Sequence, residues 1–560
     1  MEENCPQIRL GYTGSIFSFL NNCWERASVT FVVLFLFVCI LFLGGLGRRH
    51  LWDADEPREA GITAEMARSG DFVVPRLNGR VFLEKPPLYY WASSIAFWVL
   101  GENTYATRFI SALAAIGGVV IVFFLARRMK MSLTGAFMSG FVLATSAEYW
   151  SLGRTCLLDM TLCFFITASM ACFYQIIHSE ARKKLWFLGF VLSLSGALLT
   201  KGLVGLAVPI SALGIYLIVL VLKKEFSFKH WLALVIGVAL SCIPYSIWLL
   251  LLYKSQGKEA VYVTFWVNNF GRFTGGYAQH VCPFYYYFEK FPGQFLPWTF
   301  FLPLAGYFLY KDVRERDITN PSLFILSWFV IPFILLSISA GKRSIYLIPL
   351  YPAAALAVGY CFEMILSRKE KLTGWFEVPS SILAGIVLVT PLIFLGIQIY
   401  YHQYSIMMIL FALLGFGLGL YTFSLFRKKD LSNFFKMLLP SFLLIFLTFD
   451  MCIMPIFNQK ESFEPLFKYA SKLQSEGNKV SLLRPSERID GAAVFYLGQN
   501  VKDFEDFESM REFTHEDNKL VTIASKQIIE NNPDINIIKE FDIGKDTYVI
   551  FTDSNKVGSN

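Results

Sequence analysis

Long apolar runs recur along most of this chain, and they limit its fold more than any other feature. Each run approaches the roughly 17 to 25 apolar residues that a helix needs to cross the hydrocarbon core of a bilayer. Thirteen runs occur, at residues 30–46, 106–126, 133–149, 160–178, 185–200, 202–222, 231–252, 294–310, 322–340, 345–366, 379–400, 405–425 and 436–455. With 55% hydrophobic and 17% charged residues among 560, an ordinary soluble enzyme and a disordered chain are excluded. The pattern predicts an α-helical polytopic membrane protein with thirteen transmembrane helices.

The basic linkers between these runs predict how the chain is oriented. Six of them lie two spans apart, at Arg127/Arg128/Lys130, Arg182/Lys183/Lys184, Lys223/Lys224/Lys229, Lys311/Arg314/Arg316, Arg368/Lys369/Lys371 and Arg427/Lys428/Lys429. Positive charge favours the cytoplasmic side, so all six are predicted there together with the amino-terminal Arg9 and Arg26. This requires the shorter apolar stretch from Pro86 to Leu100 to lie on the membrane. The formal net charge of +7 is too small to indicate nucleic-acid binding.

The same topology divides the chain into two parts. Residues 1–455 form the predicted transmembrane domain, with large outer loops at about 47–105 and 253–293, and residues 456–560 form an outer soluble domain. There the apolar runs shrink to strand length between helical stretches, which predicts an α/β domain. The predicted strands are Lys479–Leu483, Lys519–Ala524, Ile535–Ile538 and Thr547–Phe551, and the helices are Phe463–Gln474 and Ser486–Leu497.

Carboxylates cluster in the first outer loop, directly after a span ends. Asp53, Asp55 and Glu56 lie within four residues, and such groups are costly at the hydrocarbon boundary unless they are solvated or paired. One interpretation is a solvated turn that caps the helix-like run starting near Arg58. The other makes Asp55 a general base, or an electrostatic partner for a group that arrives from the lipid.

Basic residues in this loop run against the usual charge bias and suit an anionic lipid headgroup. They are Arg48, Arg49, Arg58, Arg68, Arg76, Arg80 and Lys85. Asn78-Gly79 predicts a turn, and Tyr89, Tyr90 and Trp91 are typical of an interfacial anchor.

Further charged residues fall at membrane depth on the same side: Arg154, Asp159, Lys201, Lys342 and Arg343. Singly, each fits a helix end whose charge reaches out to water. Together they predict a basic outer cavity with two carboxylates, Asp55 and Asp159. The loop Asn269–Gly276, followed by His280, can close over it. Glycosyl transfer from a lipid phosphate needs cations on the leaving phosphate, and our candidates are Lys85, Arg272, Lys342 and Tyr346.

Several motifs in this order resemble one family. They are Asp55-Glu56-Pro57-Arg58, Leu77-Asn78-Gly79, Phe82-Leu83-Glu84-Lys85-Pro86-Pro87-Leu88-Tyr89-Tyr90-Trp91, Gly153-Arg154, Leu158-Asp159-Met160, Thr200-Lys201-Gly202, Phe270-Gly271-Arg272-Phe273 and Lys342-Arg343 with Tyr346-Leu347-Ile348-Pro349. The chain is similar along its whole length to the bacterial aminoarabinose transferases that modify lipid A. These belong to the GT-C group of lipid-phosphate-dependent glycosyltransferases, which includes the protein O-mannosyltransferases.

The resemblance implies a GT-C fold and transfer of a sugar from undecaprenyl phosphate at the periplasmic face of the bacterial inner membrane. The favoured sugar is 4-amino-4-deoxy-L-arabinose and the favoured acceptor is a lipid A phosphate, with the protein acting as a monomer. It also implies roles for single residues. The catalytic residue is Asp55, with Asp159 as a second acid. The donor phosphate is bound by Lys85, Arg272, Tyr346, Lys342 and Arg58. The sugar is bound by Lys201, Tyr89 and Glu84.

A divalent metal ion near Glu84 also occurs in the family, although no cofactor is obligatory. Where a histidine is expected shortly before Arg272, this chain has Trp266, Val267, Asn268 and Asn269. His280 is the nearest histidine after that element, so the second ligand stays open.

Two alternatives remain. The first is a GT-C transferase of another lipid-linked sugar, galacturonic acid or mannose, acting on lipopolysaccharide or protein hydroxyls. The second is a transporter, which is disfavoured because the charges gather at one face and no inverted repeat is evident.

Overall fold

The computed structural model describes residues 27–52, 55–223, 228–276, 280–315, 321–366, 374–403, 405–516, 519–530 and 534–553. For Arg272, Gly374 and residues 514–516 only the backbone is described. The predicted cytoplasmic Arg9 and Arg26 lie outside these ranges, as does Asp53.

Ten helices among the described residues are long and apolar enough to cross a membrane. They are Thr104–Arg128, Leu158–His178, Lys183–Lys201, Val204–Leu222, Phe228–Gly271, Pro321–Ile338, Ser344–Leu366, Trp375–Tyr400, Ile406–Arg427 and Leu431–Glu461. Of the other three predicted spans, 30–46 and 133–149 overlap the shorter apolar helices Ala27–Leu43 and Leu133–Thr145, and 294–310 overlaps only the first part of Leu302–Glu315. The described residues therefore support ten of the thirteen predicted spans. The chain is therefore a multi-pass membrane protein.

The second outer loop differs from its prediction, because much of 253–293 is helical. The helix that begins at Phe228 continues past a kink at Gly257 to Tyr262 and then, as a π-helix, over Val263–Gly271. We call Val263–Gly271 the π segment. Two short helices follow, Arg272–Thr274 and Tyr286–Gln294. Apolar residues such as Val261 and Phe265 let the helix run on beyond the hydrocarbon, where composition alone predicts a loop.

The first outer loop is built from a helix, a hairpin and a second helix. We call Glu56–Ser69 the outer helix. The hairpin pairs β1 (Arg76–Leu77) with β2 (Arg80–Val81) through Asn78 and Gly79, which both have positive φ, as a type I′ turn requires and as predicted. Leu88–Leu100 has 13 residues, about 20 Å of helix, which is too short to cross the bilayer.

The carboxyl-terminal domain is α/β, as predicted. Its five strands, β3 (Lys479–Leu483), β4 (Lys502–Phe504), β5 (Leu520–Ser525), β6 (Ile535–Ile543) and β7 (Asp546–Asp553), have the order β4-β3-β5-β7-β6. β3 pairs in parallel with β4 and β5, whereas β7 pairs antiparallel with β5 and β6. The helices are Met454–Glu461, Glu464–Ser475, Glu487–Leu497, Phe507–Glu516 and Lys526–Ile529. The helices Phe507–Glu516 and Lys526–Ile529 were not predicted. Among the strands β4 was missed, because three residues show no periodicity.

This domain packs directly on the outer helix through Glu487–Leu497, which we call the domain helix. Gly61 and Gly491 meet where the two helices cross, and a Cβ at Gly491 would lie 2.2 Å from the carbonyl oxygen of Pro57. Arg58 also forms an ion pair with Glu487 at 3.0 Å. Because only glycine allows so close an approach, the domain fixes the first turn of the outer helix, next to Asp55.

Candidate active site

A cavity of about 750 Å³ opens where the outer helix, the π segment and the turn before Ser344 meet. Nine of the predicted site residues line it: Asp55, Arg58, Glu84, Lys85, Asp159, Lys201, His280, Lys342 and Tyr346. Apolar and aromatic side chains, among them Leu162, Val204, Phe270, Tyr287 and Leu336, complete the lining. The cavity is therefore amphipathic, with charge on one side and an apolar surface on the other.

The described lining carries more positive than negative charge. Its cations are Arg58, Lys85, Lys201, Lys342 and Arg343, and its carboxylates are Asp55, Glu84 and Asp159. The excess of two positive charges in a partly buried space attracts an anionic ligand. Arginine forks and lysine ammonium groups suit a phosphate in particular.

Asp55 immediately precedes the outer helix but does not cap it with its side chain. Its carboxylate instead forms an ion pair with Arg58 at 3.0 Å and accepts a hydrogen bond from Arg343. Burial alone would raise the pKa of Asp55, but Arg58 and Arg343 outweigh that effect and hold the pKa below its ordinary value. Asp55 is thus an ionised group at neutral pH, held between two guanidinium groups at the cavity wall.

Glu56, its neighbour, points away from the cavity into a buried network. Arg108 binds both of its oxygens, at 2.8 and 2.9 Å, and Arg49 lies 2.6 Å away. The backbone N–H of Cys156 donates to the same carboxylate at 2.8 Å. Burial raises the pKa of Glu56, yet Arg108 and Arg49 lower it more, to about 2. Glu56 therefore anchors the turn that presents Asp55.

Asp159 and Lys201 form the second charged pair in the cavity wall. Lys201 ends the helix Lys183–Lys201, and its ammonium group donates to Asp159 of the preceding helix, Leu158–His178. The same nitrogen lies 4.3 Å from the centre of the Tyr346 ring. Three residues that are distant in sequence thus meet at one point, as predicted.

The π segment holds the Glu84 and Lys201 turns in place through its amides. Asn268 donates to the Leu83 carbonyl at 2.9 Å, and the Asn269 side chain accepts from the Leu203 N–H at 2.8 Å. Glu84 then pairs with Lys85 at 3.3 Å. The positions where a histidine was expected therefore carry amides that join loops.

Metal binding is not supported by the residues that the structure describes. Among them, no three His, Cys, Asp or Glu side chains come close enough to hold an ion. The carboxylates of Asp55, Glu84 and Asp159 each pair with lysine or arginine. Glu84 and His280 both line the cavity, but we derive no step that uses a metal.

Three predicted residues need comment. The Tyr89 side chain is fully buried beside Ser111 and Cys156 and does not line the cavity. It therefore neither contacts a sugar in the cavity nor anchors the chain at the membrane surface. Tyr90 is equally buried. Arg154 is also outside this cavity, because it caps the helix Ala27–Leu43 and pairs with Asp450. The Arg272 side chain lies outside the described residues.

Sequence reasoning missed the roles of two arginines, one that contacts Asp55 in the cavity and one in the buried network behind it. The sequence places Arg343 next to Lys342, and Lys342 was selected as the phosphate ligand. In the structure Arg343 forms an ion pair with Asp55, whereas the Lys342 ammonium donates to the Cys282 carbonyl at 2.7 Å. Arg108 lies inside an apolar span, and this isolated charge was the signal that could have identified it.

A family model for dolichyl-phosphate-mannose-protein mannosyltransferases matches residues 27–257. The chain is 30% identical over 368 residues to an undecaprenyl phosphate-α-4-amino-4-deoxy-L-arabinose arabinosyl transferase of Proteus mirabilis, with 64% of each chain covered. The transferase of Yersinia enterocolitica is 30% identical over 405 residues, which cover 71% of this chain and 72% of the relative. The matches thus span from just under to just over two thirds of these relatives.

The fold is similar to that of ArnT from Cupriavidus metallidurans. Against the crystal structure bound to undecaprenyl phosphate, the TM-score is 0.71 at 20% identity, covering 93% of this chain and 97% of that one. Against the apo structure it is 0.72, also at 20% identity, covering 96% and 100%. This likeness shows the GT-C fold, and the likeness to the Yersinia protein shows the relationship. The chain belongs to the family of the undecaprenyl phosphate-aminoarabinose arabinosyl transferases.

Proposed function

We propose that this protein is a membrane glycosyltransferase that moves 4-amino-4-deoxy-L-arabinose from undecaprenyl phosphate to a phosphate of lipid A. The observation that carries the proposal is the cavity in which five cations surround three carboxylates beside an apolar wall. Such a cavity suits a sugar phosphate on a long lipid. The names of the relatives point to the same donor and sugar.

The cations hold the donor and stabilise its leaving group. As the bond between sugar and phosphate breaks, negative charge grows on the phosphate and positive charge on the sugar. Lys85, Lys342 and Tyr346 line the cavity and are the candidates for the phosphate; the family resemblance adds Arg272. Preorganised cations in a partly dry cavity lower the free energy of that charge separation. Asp159 and Lys201 are the candidates for sugar contacts.

The low pKa of Asp55 favours an acceptor that is already anionic. A carboxylate held below its ordinary pKa is a weak base, so it removes a proton from a hydroxyl poorly. A phosphate acceptor needs no proton removal. Arg58 also pairs with Glu59 and Glu487, so the attraction for an acceptor phosphate comes from the whole cavity lining, in which five cations outnumber three carboxylates. Arg343, which Asp55 holds in place, orients that phosphate towards the sugar.

The protein is proposed to reside in the bacterial inner membrane, with this cavity and residues 456–560 on the periplasmic side. The basic linkers between spans support that orientation. A periplasmic domain packed on the outer helix would then stand over the outer leaflet, where lipid A and the lipid-linked donor both expose their phosphates.

Reconstitution tests the proposal. Purified protein in liposomes receives undecaprenyl phosphate-aminoarabinose and lipid A, and mass spectrometry follows the addition of one aminoarabinose to lipid A. Asp55→Asn, which keeps the shape but removes the charge that holds Arg58 and Arg343 in place, should lower the rate about 100-fold because the acceptor phosphate is then misplaced. Transfer only from undecaprenyl phosphate-galacturonic acid, or only to a protein hydroxyl, would refute the proposed sugar or acceptor.

A further inference from the structure

A second cavity, of about 270 Å³, lies behind the Asp55 turn and shares no lining residue with the first. It sits at the membrane boundary, between the chain that follows the helix Ala27–Leu43, the short helix Ala147–Gly153 and the π-helical turn Phe449–Ile453. Its volume is slightly below the roughly 300 to 1,000 Å³ of small-molecule sites. It therefore has room for a headgroup but not for a whole lipid.

Two indole N–H groups in this cavity have no acceptor among the residues that the structure describes. They belong to Trp52 and Trp150, and both nitrogens are buried. Other indoles of the chain do find acceptors: Trp91, Trp98, Trp248, Trp298 and Trp328 donate to oxygens at 2.7 to 3.2 Å. A buried donor without an acceptor costs about 1–3 kcal/mol. Two such donors in one cavity indicate a ligand that supplies oxygen.

Guanidinium groups stack on the two indoles. Arg49 lies 5.1 Å from the Trp52 ring centre, and Arg154 lies 5.7 Å from that of Trp150. Asp450 neutralises Arg154 at 2.7 Å, and Glu56 is shared by Arg49 and Arg108. Among the described residues that line the cavity, two guanidinium groups, Arg49 and Arg154, stand against one carboxylate, Asp450. The lining therefore carries a net positive charge beside the two indole donors.

We propose that this second cavity binds the phosphate group of a membrane lipid in the outer leaflet. A phosphate offers oxygens in several directions, so one phosphate can accept from two indole donors that belong to different segments of the chain. Leu46, Phe449 and Met454 give the cavity an apolar border at the membrane boundary, where the glycerol end of a lipid would emerge. Since Arg49 contacts Glu56, the bound phosphate would stabilise the turn that carries Asp55.

Fluorine NMR on the intact protein tests this site without changing the cavity. The full chain is labelled with 5-fluorotryptophan in detergent, and the resonances of positions 52 and 150 are identified with Trp52→Phe and Trp150→Phe. Short-chain phosphatidic acid, phosphatidylcholine and inorganic phosphate are then titrated separately. No tryptophan lines the first cavity among the described residues, so donor-site binding does not contact the probes.

We expect both resonances to shift saturably with phosphatidic acid. The concentration for half-saturation should be about tenfold lower than with inorganic phosphate, a difference in binding free energy of roughly 1.4 kcal/mol. The exposed Trp375 is the matched control and should not shift. Equal saturation by inorganic phosphate would overturn the lipid as the source of the anion. Absence of saturable shifts, or equal shifts at Trp375, would overturn the site altogether, because water then satisfies both indoles.

Discussion

At the residue scale, two adjacent carboxylates have opposite surroundings. Asp55 faces the cavity between Arg58 and Arg343, and Glu56 is fully buried against Arg108. The difference follows from the helix start: consecutive side chains point about 100° apart, so one faces the ligand while the other faces the membrane helices. Their substitution should therefore give different phenotypes.

Replacing Glu56 by Gln should destabilise the protein, whereas Asp55→Asn should leave it folded and inactive. Loss of the Glu56 charge leaves Arg108 buried without its counter-ion, which typically costs 3–5 kcal/mol. Thermal unfolding in detergent measures the effect. Glu377→Gln, at an exposed ion pair with Lys429, is the control and should change little. A normal melting temperature for Glu56→Gln would contradict this account of the buried network.

Replacing Arg343 by Ala should shift the acid limb of the activity profile to higher pH. Arg343 is one of the cations that lower the pKa of Asp55, so its removal raises that pKa. The ionised form, which is active, is then lost at a higher pH as the solution is acidified. Profiles of kcat/KM that extend from below the ordinary aspartate pKa, about 3.9, up to neutral pH check this. The control is Arg314→Ala, which removes an exposed arginine on another helix and should keep the wild-type profile. If the Arg343→Ala profile were unshifted, Arg343 would be excluded as a residue that positions Asp55.

The sequence predicts residue types at the cavity better than it predicts their partners. Lys85, Lys201, Asp159 and Tyr346 lie where expected because each stands at the end of an apolar run on the same side of the membrane. The pairing of Asp55 with Arg343 joins positions 288 apart, and no local pattern encodes such a contact. The prediction for Tyr89 was wrong for a similar reason. An aromatic residue near a helix start is typical of a membrane interface, and the sequence does not show the residues that bury it.

At the element scale, the contact between the outer helix and the domain helix is expected to control activity through packing. Gly491→Ala would place a Cβ 2.2 Å from the Pro57 carbonyl oxygen, and overpacking of this kind typically costs 1–3 kcal/mol. We expect activity to fall about tenfold while the domain stays folded, as judged by limited proteolysis. Gly306→Ala is the control, because its Cβ would meet nothing within 4 Å.

The ion pair at the same contact should matter far less. Glu487 is half exposed where it meets Arg58, and exposed pairs are typically worth 0.2–1 kcal/mol. Glu487→Ala should therefore keep activity within about fivefold of the wild type. If Glu487→Ala were the more damaging change, charge and not shape would couple the domain to the outer helix.

At the scale of the whole molecule, the orientation can be tested in cells. In a cysteine-free background, Ser475→Cys in the carboxyl-terminal domain should react with an impermeant maleimide in spheroplasts. Lys184→Cys, in a basic linker, should react only after permeabilisation. Both side chains are exposed, so accessibility reports the side of the membrane. Labelling of both positions from outside would overturn the topology on which the shared cavity depends.

Fold class and most span positions follow from composition, because a long apolar run is itself the property that places a helix in the membrane. Helix ends are less predictable: the helix from Phe228 runs on into the π segment, where Asn268 and Asn269 bond to the backbone of Leu83 and Leu203. The outer α/β domain was readable from strand periodicity, yet its docking on Gly61 was not, because glycine pairs carry no hydrophobic signal.

The docking of the domain helix also sets an order of events during synthesis. Arg58 and Glu487 are 429 positions apart, so at roughly 5 to 20 residues per second the ribosome needs on the order of half a minute to supply the partner. Until then the Asp55 turn lacks the surface that fixes it. A chain whose translation stops before the domain helix would thus insert in the bilayer but would not use the proposed lipid-linked donor.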